Sequence, residues 1–306
     1  YRRGEALRKS YRELTEEIKT DGERLKLIAA LGNSDDLAYH YALISEDWAA
    51  GGRLMLENSF DRHGEAGIVF LLERLRAFGT ASKTGTSSEE NAAVGSGAGG
   101  EISTDTLGAK NLQRDAGQGC WRNSEQDCRK GRETVCAKGS ESAARLYIDT
   151  AYLAAKILSQ LRHRDFYAAR AKELAALLTA RWEISDIALR RKQIIALGWI
   201  GSESEINLLI DSMQSDSDAL CRAWAAAALM QLSFHGVAAD VLREKTKAAF
   251  AAAIQKEGDL NAAGILIEAA QTLFGKKWIS AAAAEAAESE SIEKARKSAL
   301  RFLGKA

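Results

Sequence analysis

Three cysteines in the stretch CWRNSEQDCRKGRETVC, namely Cys120, Cys128 and Cys136, recur every eight residues and are the first candidates for chemistry. Three thiolates and a histidine would hold zinc, but zinc ligands usually come as pairs about two to four residues apart. Neither a close pair nor a histidine occurs in this stretch, so it reads as surface thiols or one incidental disulfide. Cys221, in an alanine-rich run, reads as a small buried hydrophobe. The four histidines, His40, His63, His163 and His235, form no H-E-x-x-H or H-x-x-x-H set of the kind that seats a metal on one helix face. Each is read as structural, with His163 placed at a helix end where positive charge suits the dipole. The run GSGAGG at Gly95–Gly100 lacks a preceding strand and a following Lys-Ser or Lys-Thr. It is therefore a linker and not a phosphate loop. No nucleophile elbow is present, and no catalytic residue, metal or cofactor is assigned.

What remains is recognition chemistry. Arg190, Arg191 and Lys192 form one basic cluster and Arg162, His163 and Arg164 another, while that of Arg122, Arg129, Lys130 and Arg132 is diluted by Glu125, Asp127 and Glu133. A nucleic-acid-binding helical array would line one face with such groups and add stacking aromatics. However, Lys plus Arg and Asp plus Glu both total 42, giving no net charge to steer a polyanion. Nucleic acid is not expected, and the Arg190 cluster reads as a solvated helix face. Trp182, Trp199, Trp224 and Trp278 all fall in the C-terminal half. Packing between layers accounts for them, but Trp199 and Trp224 also read as neighbours one repeat apart, able to anchor a partner. The candidate partner-binding residues are thus Trp199, Trp224, Arg190, Arg191 and Arg222.

These residues must be positioned by helices. After Ser185 and Asp186, the run IALRRKQIIALGWIG carries Ile187, Ile194 and Leu197 on one face. Ser202 and Glu205 form a capping box. Ile206, Leu209, Ile210 and Met213 then follow the i, i+3, i+4, i+7 spacing of a buried stripe. Leu189–Gly201 and Leu220–Ser233 start 31 residues apart, a period suited to stacked helix pairs. Helices are also expected over 237–256, from a cap at Asp259 to Phe274, and over 291–303. The N-terminal part shows weaker stripes: Leu7, Tyr11, Leu14 and Ile18, then Ile68, Leu71, Leu75 and Phe78 with a stop at Gly79. Tyr147, Ala151, Ala154, Leu158 and Leu161 make another.

The expected fold is therefore all-α, an α-solenoid of helix pairs with a long irregular insertion. Its segments are helical repeats at 1–79, a Gly/Ser-rich polar insertion at 80–142 without apolar periodicity, and helical repeats at 143–306. No apolar run approaches the roughly 18 residues of a membrane span. A sequence opening at Tyr1 is expected to lack an N-terminal piece, so no compartment is read. Proline is absent, where average usage near 5% predicts roughly 15.

The run LGWIGSESEINLLIDSMQSDSDALCRAWAAAALMQL resembles HEAT repeats, particularly the short type shared with phycobilisome lyases. Ala196-Leu197-Gly198-Trp199-Ile200-Gly201 matches the A-L-G-x-I-G close of a first helix. Leu209, Ile210 and Met213 match the L-L-x-x-L helix, and Asp216-Ser217-Asp218 with Leu220-Cys221-Arg222-Ala223-Trp224 matches the acidic turn and V-R-R-A-A start. It departs where the family places turn prolines and at Trp224, where a small residue is usual. The resemblance implies a non-catalytic protein-binding scaffold, a subunit or assembly factor of a larger complex, with an immunity or inhibitor partner as a related role. A bilin lyase or pigment chaperone is the alternative it implies, and DNA-base recognition a rarer one.

Overall fold

The computed structural model describes residues 9–81, 127–161 and 163–304, with side chains outside 79–81 and 127–140. The described residues contain helices and turns and no strand. The N-terminal elements are α1 (Tyr11–Glu17), α2 (Asp21–Gly32), α3 (Leu37–Ala49), a 3₁₀ segment (Leu56–His63) and α4 (Gly64–Ala81). They are followed by α5 (Asp127–Gln160), α6 (Arg164–Thr179), α7 (Ile187–Ile200), α8 (Ile206–Ser215), α9 (Ala219–Leu232) and α10 (Ala239–Lys256). The last three are α11 (Leu260–Leu273), α12 (Ala281–Glu285) and α13 (Ser289–Leu303).

The chain divides into two units, residues 1–79 with 145–306, and residues 80–144. Of the second, helical backbone is described at its two ends, with side chains over 141–144. The helix of α5 begins at Asp127, inside the segment expected to be irregular, and α4 passes its expected stop at Gly79 to reach Ala81. Cys120 lies outside the described residues, and for Cys128 and Cys136 only the helical backbone is described.

In the first unit the helices pack as stacked pairs in two rows. One row holds α7, α9 and α11 side by side, and the other holds α8, α10 and α13. Alanine makes the first row tight: Ala223, Ala225, Ala226 and Ala228 of α9 are buried between its neighbours. A Cβ added at Gly198 would lie 2.9 Å from the Ala228 Cα, so only glycine permits this helix crossing. The other row buries Ile206, Leu209 and Met213 of the predicted stripe, with its Ile210 partly buried, and Ile292, Ala295 and Ala299 of α13. Towards the N-terminus, Tyr41 on α3 hydrogen-bonds the Thr150 hydroxyl on α5 at 2.7 Å. The Arg181 guanidinium stacks 4.2 Å from the Tyr147 ring and donates to the Phe78 carbonyl. These contacts join residues 1–79 to 145–306 in one body.

Side-chain caps start the helices where prolines would otherwise punctuate the chain. Thr20, Asp36, Asp186, Asp218, Asp259 and Ser280 each accept an amide of the following first turn. Each cap satisfies an orphan donor and stabilises by about 1 kcal/mol. The loop between α3 and the 3₁₀ segment is the exception to this economy. Gly51 and Gly52 have positive φ, and Met55 stands in the left-handed region at φ 54°, ψ 44°. For a non-glycine residue that conformation costs on the order of 1–3 kcal/mol.

Candidate interaction surface

One hydrogen-bond pattern occurs twice across the α7–α9–α11 row. Asp186, Asp218 and Asp259 cap these helices by accepting the amides of Leu189, Cys221 and Ala262. Four residues beyond the first two caps stand Arg190 and Arg222. Arg190 donates through Nε and Nη2 to both carboxylate oxygens of Asp216, at 2.7 and 2.9 Å. Arg222 does the same to Glu257, at 2.7 and 2.8 Å. Each acid precedes the next cap by two residues and also accepts that cap's backbone N–H, from Asp218 at 2.8 Å and Asp259 at 3.0 Å. Finally, Nη1 of each arginine turns back to carbonyls just before its own helix: Ile184 for Arg190 and Asp216 for Arg222.

Each guanidinium therefore ties its own helix to the turn before it and to the turn before the next helix in the row. The planar fork suits this bidentate role in a way a lysine would not. Ala263 occupies the corresponding position in α11, so the ladder has two rungs. A parallel pair runs beside it: Arg191 donates to both oxygens of Asp218, at 3.0 and 2.9 Å. The Arg191 hydrogen bonds outweigh partial burial and hold the Asp218 carboxyl down to about 2. At Glu257 burial pushes upward, but Arg222 and the backbone amides of Asp259 and Gly258 win and the carboxyl sits below its ordinary value. Burial also raises the Cys221 thiol to about 11, leaving it an inert hydrophobe as its sequence context implied.

Aromatic groups gather where α5 meets α7. The Tyr152 and Trp199 rings lie 5.1 Å apart, and Lys192 Nζ sits 5.9 Å from the Tyr152 ring while pairing with the buried carboxylate of Asp149. The backbone beneath Trp199 is fixed from both sides. Tyr167 donates its hydroxyl to the Trp199 carbonyl at 2.7 Å, and His235 donates Nε2–H to the Gly198 carbonyl at 2.7 Å. Trp199 and Trp224 are each half-buried against the core.

A second polar cluster lies under the 3₁₀ segment. His40 is fully buried. Its Nε2 donates to the Leu56 carbonyl at 3.0 Å, which leaves Nδ1 as the acceptor of the His63 Nε2–H at 2.9 Å. A proton added at Nδ1 would meet another N–H. Burial, with the neighbouring His63 as a lesser cause, pushes the His40 pKa down to about 4. Because the folded value is lower than the ordinary 6.5, unfolded chains bind the extra proton first as pH falls. Stability is then complete above pH 6.5 and should fall by about 3 kcal/mol as pH drops to 4, at roughly 1.4 kcal/mol per unit. Urea titrations across that range test this. His40→Phe should remove most of the slope, and an unchanged slope would reject the assignment.

A family model for HEAT repeats matches residues 147–230. Over this span the chain carries HEAT repeats. No curated protein and no solved structure matches it. The matched span runs from within α5 to within α9, and the two-rung ladder crosses the α7 and α9 repeats within it before reaching on to Glu257.

Within these HEAT repeats the predicted residues take different places. Arg190 and Arg222 are not on a solvated face: their side chains are 17% and 22% exposed, with their donors engaged inside the chain. Arg191 is more open at 33%. The caps of α7 and α9 are 32 residues apart, so Arg190 and Arg222 are equivalent. Trp199 and Trp224 are not. Trp224 stands in α9 where Lys192 stands in α7, and the counterpart of Trp199 is Gln231. His163 stands at the N-terminal boundary of α6 without a side-chain capping bond, at the helix end where positive charge is disfavoured, and is paired with Glu65 at 2.8 Å. The His40–His63 contact has no local signal, since its members lie 23 residues apart. No group of three or more His, Cys, Asp or Glu suited to a metal, and no helix long and apolar enough to cross a membrane, occurs among the described residues.

Proposed function

We propose that this chain is a non-catalytic scaffold that serves as a subunit or assembly factor of a larger complex. HEAT repeats in general mediate protein interactions. The observation that carries the reading is the ladder. It fixes one helix row in register through bidentate arginines, so the side chains presented by that row need little ordering on binding. Among them Trp199, with Tyr152 and Lys192 beside it, supplies a rigid aromatic patch. Trp224 continues the Lys192 position into the next repeat, and Arg191 contributes its partly open guanidinium. Large aromatics on a rigid support are the usual anchors of protein interfaces.

Native mass spectrometry of the protein isolated gently from its own source tests this. The expected spectrum shows a discrete heavier species containing a second protein chain, weakened at least about tenfold by Trp199→Leu with Trp224→Leu. A bare monomer throughout would reject the scaffold. A gain of a few hundred daltons accompanied by visible absorption would replace it with the pigment-handling reading that the short HEAT type suggests.

A further inference from the structure

The strained loop after α3 makes a different surface, and nothing in the ladder or the aromatic patch explains it. Asp47 is fully buried. Its Oδ1 accepts the Leu54 amide at 3.0 Å and its Oδ2 the Leu56 amide at 3.3 Å. One carboxylate thus grips the amides on both sides of Met55 and forces that residue outward in the left-handed conformation. Glycine would take this conformation without strain, yet a methionine is there, 46% exposed while Leu54 and Leu56 on either side are buried. Strain held in place by a buried group, at an exposed apolar side chain, is the mark of a presented contact.

Met55 borders an open cleft of about 430 Å³ lined also by Ile18 and Leu54 and rimmed by Lys19, Arg24 and Arg53. Asp21 is the one carboxylate on that rim and is paired with Arg24 at 3.3 Å. Arg24 also reaches the Met55 sulfur at 3.3 Å, and Arg53 is steadied by the Thr15 carbonyl at 3.0 Å. Ile18 and Leu54 are themselves buried, so Met55 is the exposed apolar group of an otherwise polar cleft with three cations and one anion, in a chain whose total charge is zero.

We propose that this cleft docks an acidic peptide segment of a partner protein, with one apolar side chain seated against Met55 and its flanking carboxylates on Lys19 and Arg53. Methionine suits the role because its unbranched thioether adapts to the shape of the entering group. The proposal does not depend on the Trp199 patch, which lies on other helices.

Panning displayed 12-residue peptides against the full chain tests it, followed by fluorescence anisotropy of the winners. Enriched peptides should combine one large apolar residue with flanking Asp or Glu, and should bind more weakly as salt rises. Met55→Gly relieves the strain, so that variant should melt no lower than the wild type while binding at least about tenfold more weakly. Lys19→Glu with Arg53→Glu should abolish binding, and Trp199→Leu should leave it unchanged. Failure to enrich, enrichment of peptides without acidic residues, or equal binding by Met55→Gly would each overturn the proposal. Loss of binding in Trp199→Leu would move the site to the aromatic patch.

Discussion

Asp47→Ala is expected to destabilise the protein by about 4 kcal/mol, because it orphans two buried amides and a part-buried phenol. The carboxylate is fully buried and accepts the Tyr11 hydroxyl at 2.8 Å as well as the Leu54 and Leu56 amides. Each buried donor left without a partner costs about 1–3 kcal/mol, while relaxation of Met55 from its left-handed conformation returns part of the loss. Tyr11→Phe isolates one of the three bonds and should cost only about 1 kcal/mol. The same contact shows in Tyr11 itself: burial, then the hydrogen bond to Asp47, pushes the phenol up to about 12. Urea midpoints at constant slope give both numbers. An Asp47→Ala variant within 1 kcal/mol of wild type would mean that the loop finds its conformation without the carboxylate, and the presented methionine would lose its physical basis.

What the sequence made legible follows from which interactions are local. The stripe Ile206, Leu209, Ile210 and Met213, a cap at Ser185 or Asp186 and another at Asp259, and the Ser202–Glu205 box all act within one or two turns, and all three features are present, with Asp186 as the first cap. The 3₁₀ segment had no such signal, and α12 had only a lone serine cap. The segment at 56–63 is held by packing on α2 and α3, and α12 is a short run of alanines after a serine cap. The ladder was hidden by a single residue. Matching Leu189 to Leu220 gives a period of 31 and places Arg190 opposite Cys221, whereas the caps give 32 and place it opposite Arg222. The acids that complete the rungs, Asp216 and Glu257, are ordinary turn residues until the next repeat is stacked beside them. The arginines therefore read as solvated when they are internal ties. A left-handed Met55 was beyond reach for a similar reason. Methionine has no preference for that conformation, and the carboxylate that imposes it is eight residues away.

The ladder makes the other large prediction. Glu257 is 2% exposed as a side chain and is, among the described residues, the carboxylate that receives the Arg222 fork. Glu257→Ala strands a guanidinium inside the repeat interface and should cost about 4 kcal/mol, in line with the roughly 3–5 kcal/mol for breaking a buried pair from one side. Arg222→Met combined with Glu257→Leu removes both charges and fills their space, and should recover most of that loss. The recovery is the critical readout, since it separates a register-fixing pair from a net source of stability. If the double variant stays folded but loses the heavier species in native mass spectra, the pair serves register and the scaffold reading gains. If the double variant is as unstable as Glu257→Ala, the pair is itself a main support of the row. Acid titration supplies an independent check. A carboxyl whose folded value is depressed contributes stability above its unfolded value and loses it as pH falls through the folded value. For Glu257, whose carboxyl ordinarily titrates at 4.5, that loss falls below pH 4.5, and for Asp218 it runs from 3.8 down to about 2. The His40 loss, between 6.5 and 4, is largely over by then. Wild-type stability should consequently fall in two successive stages on acidification, the upper mostly removed by His40→Phe and the lower diminished by Glu257→Ala.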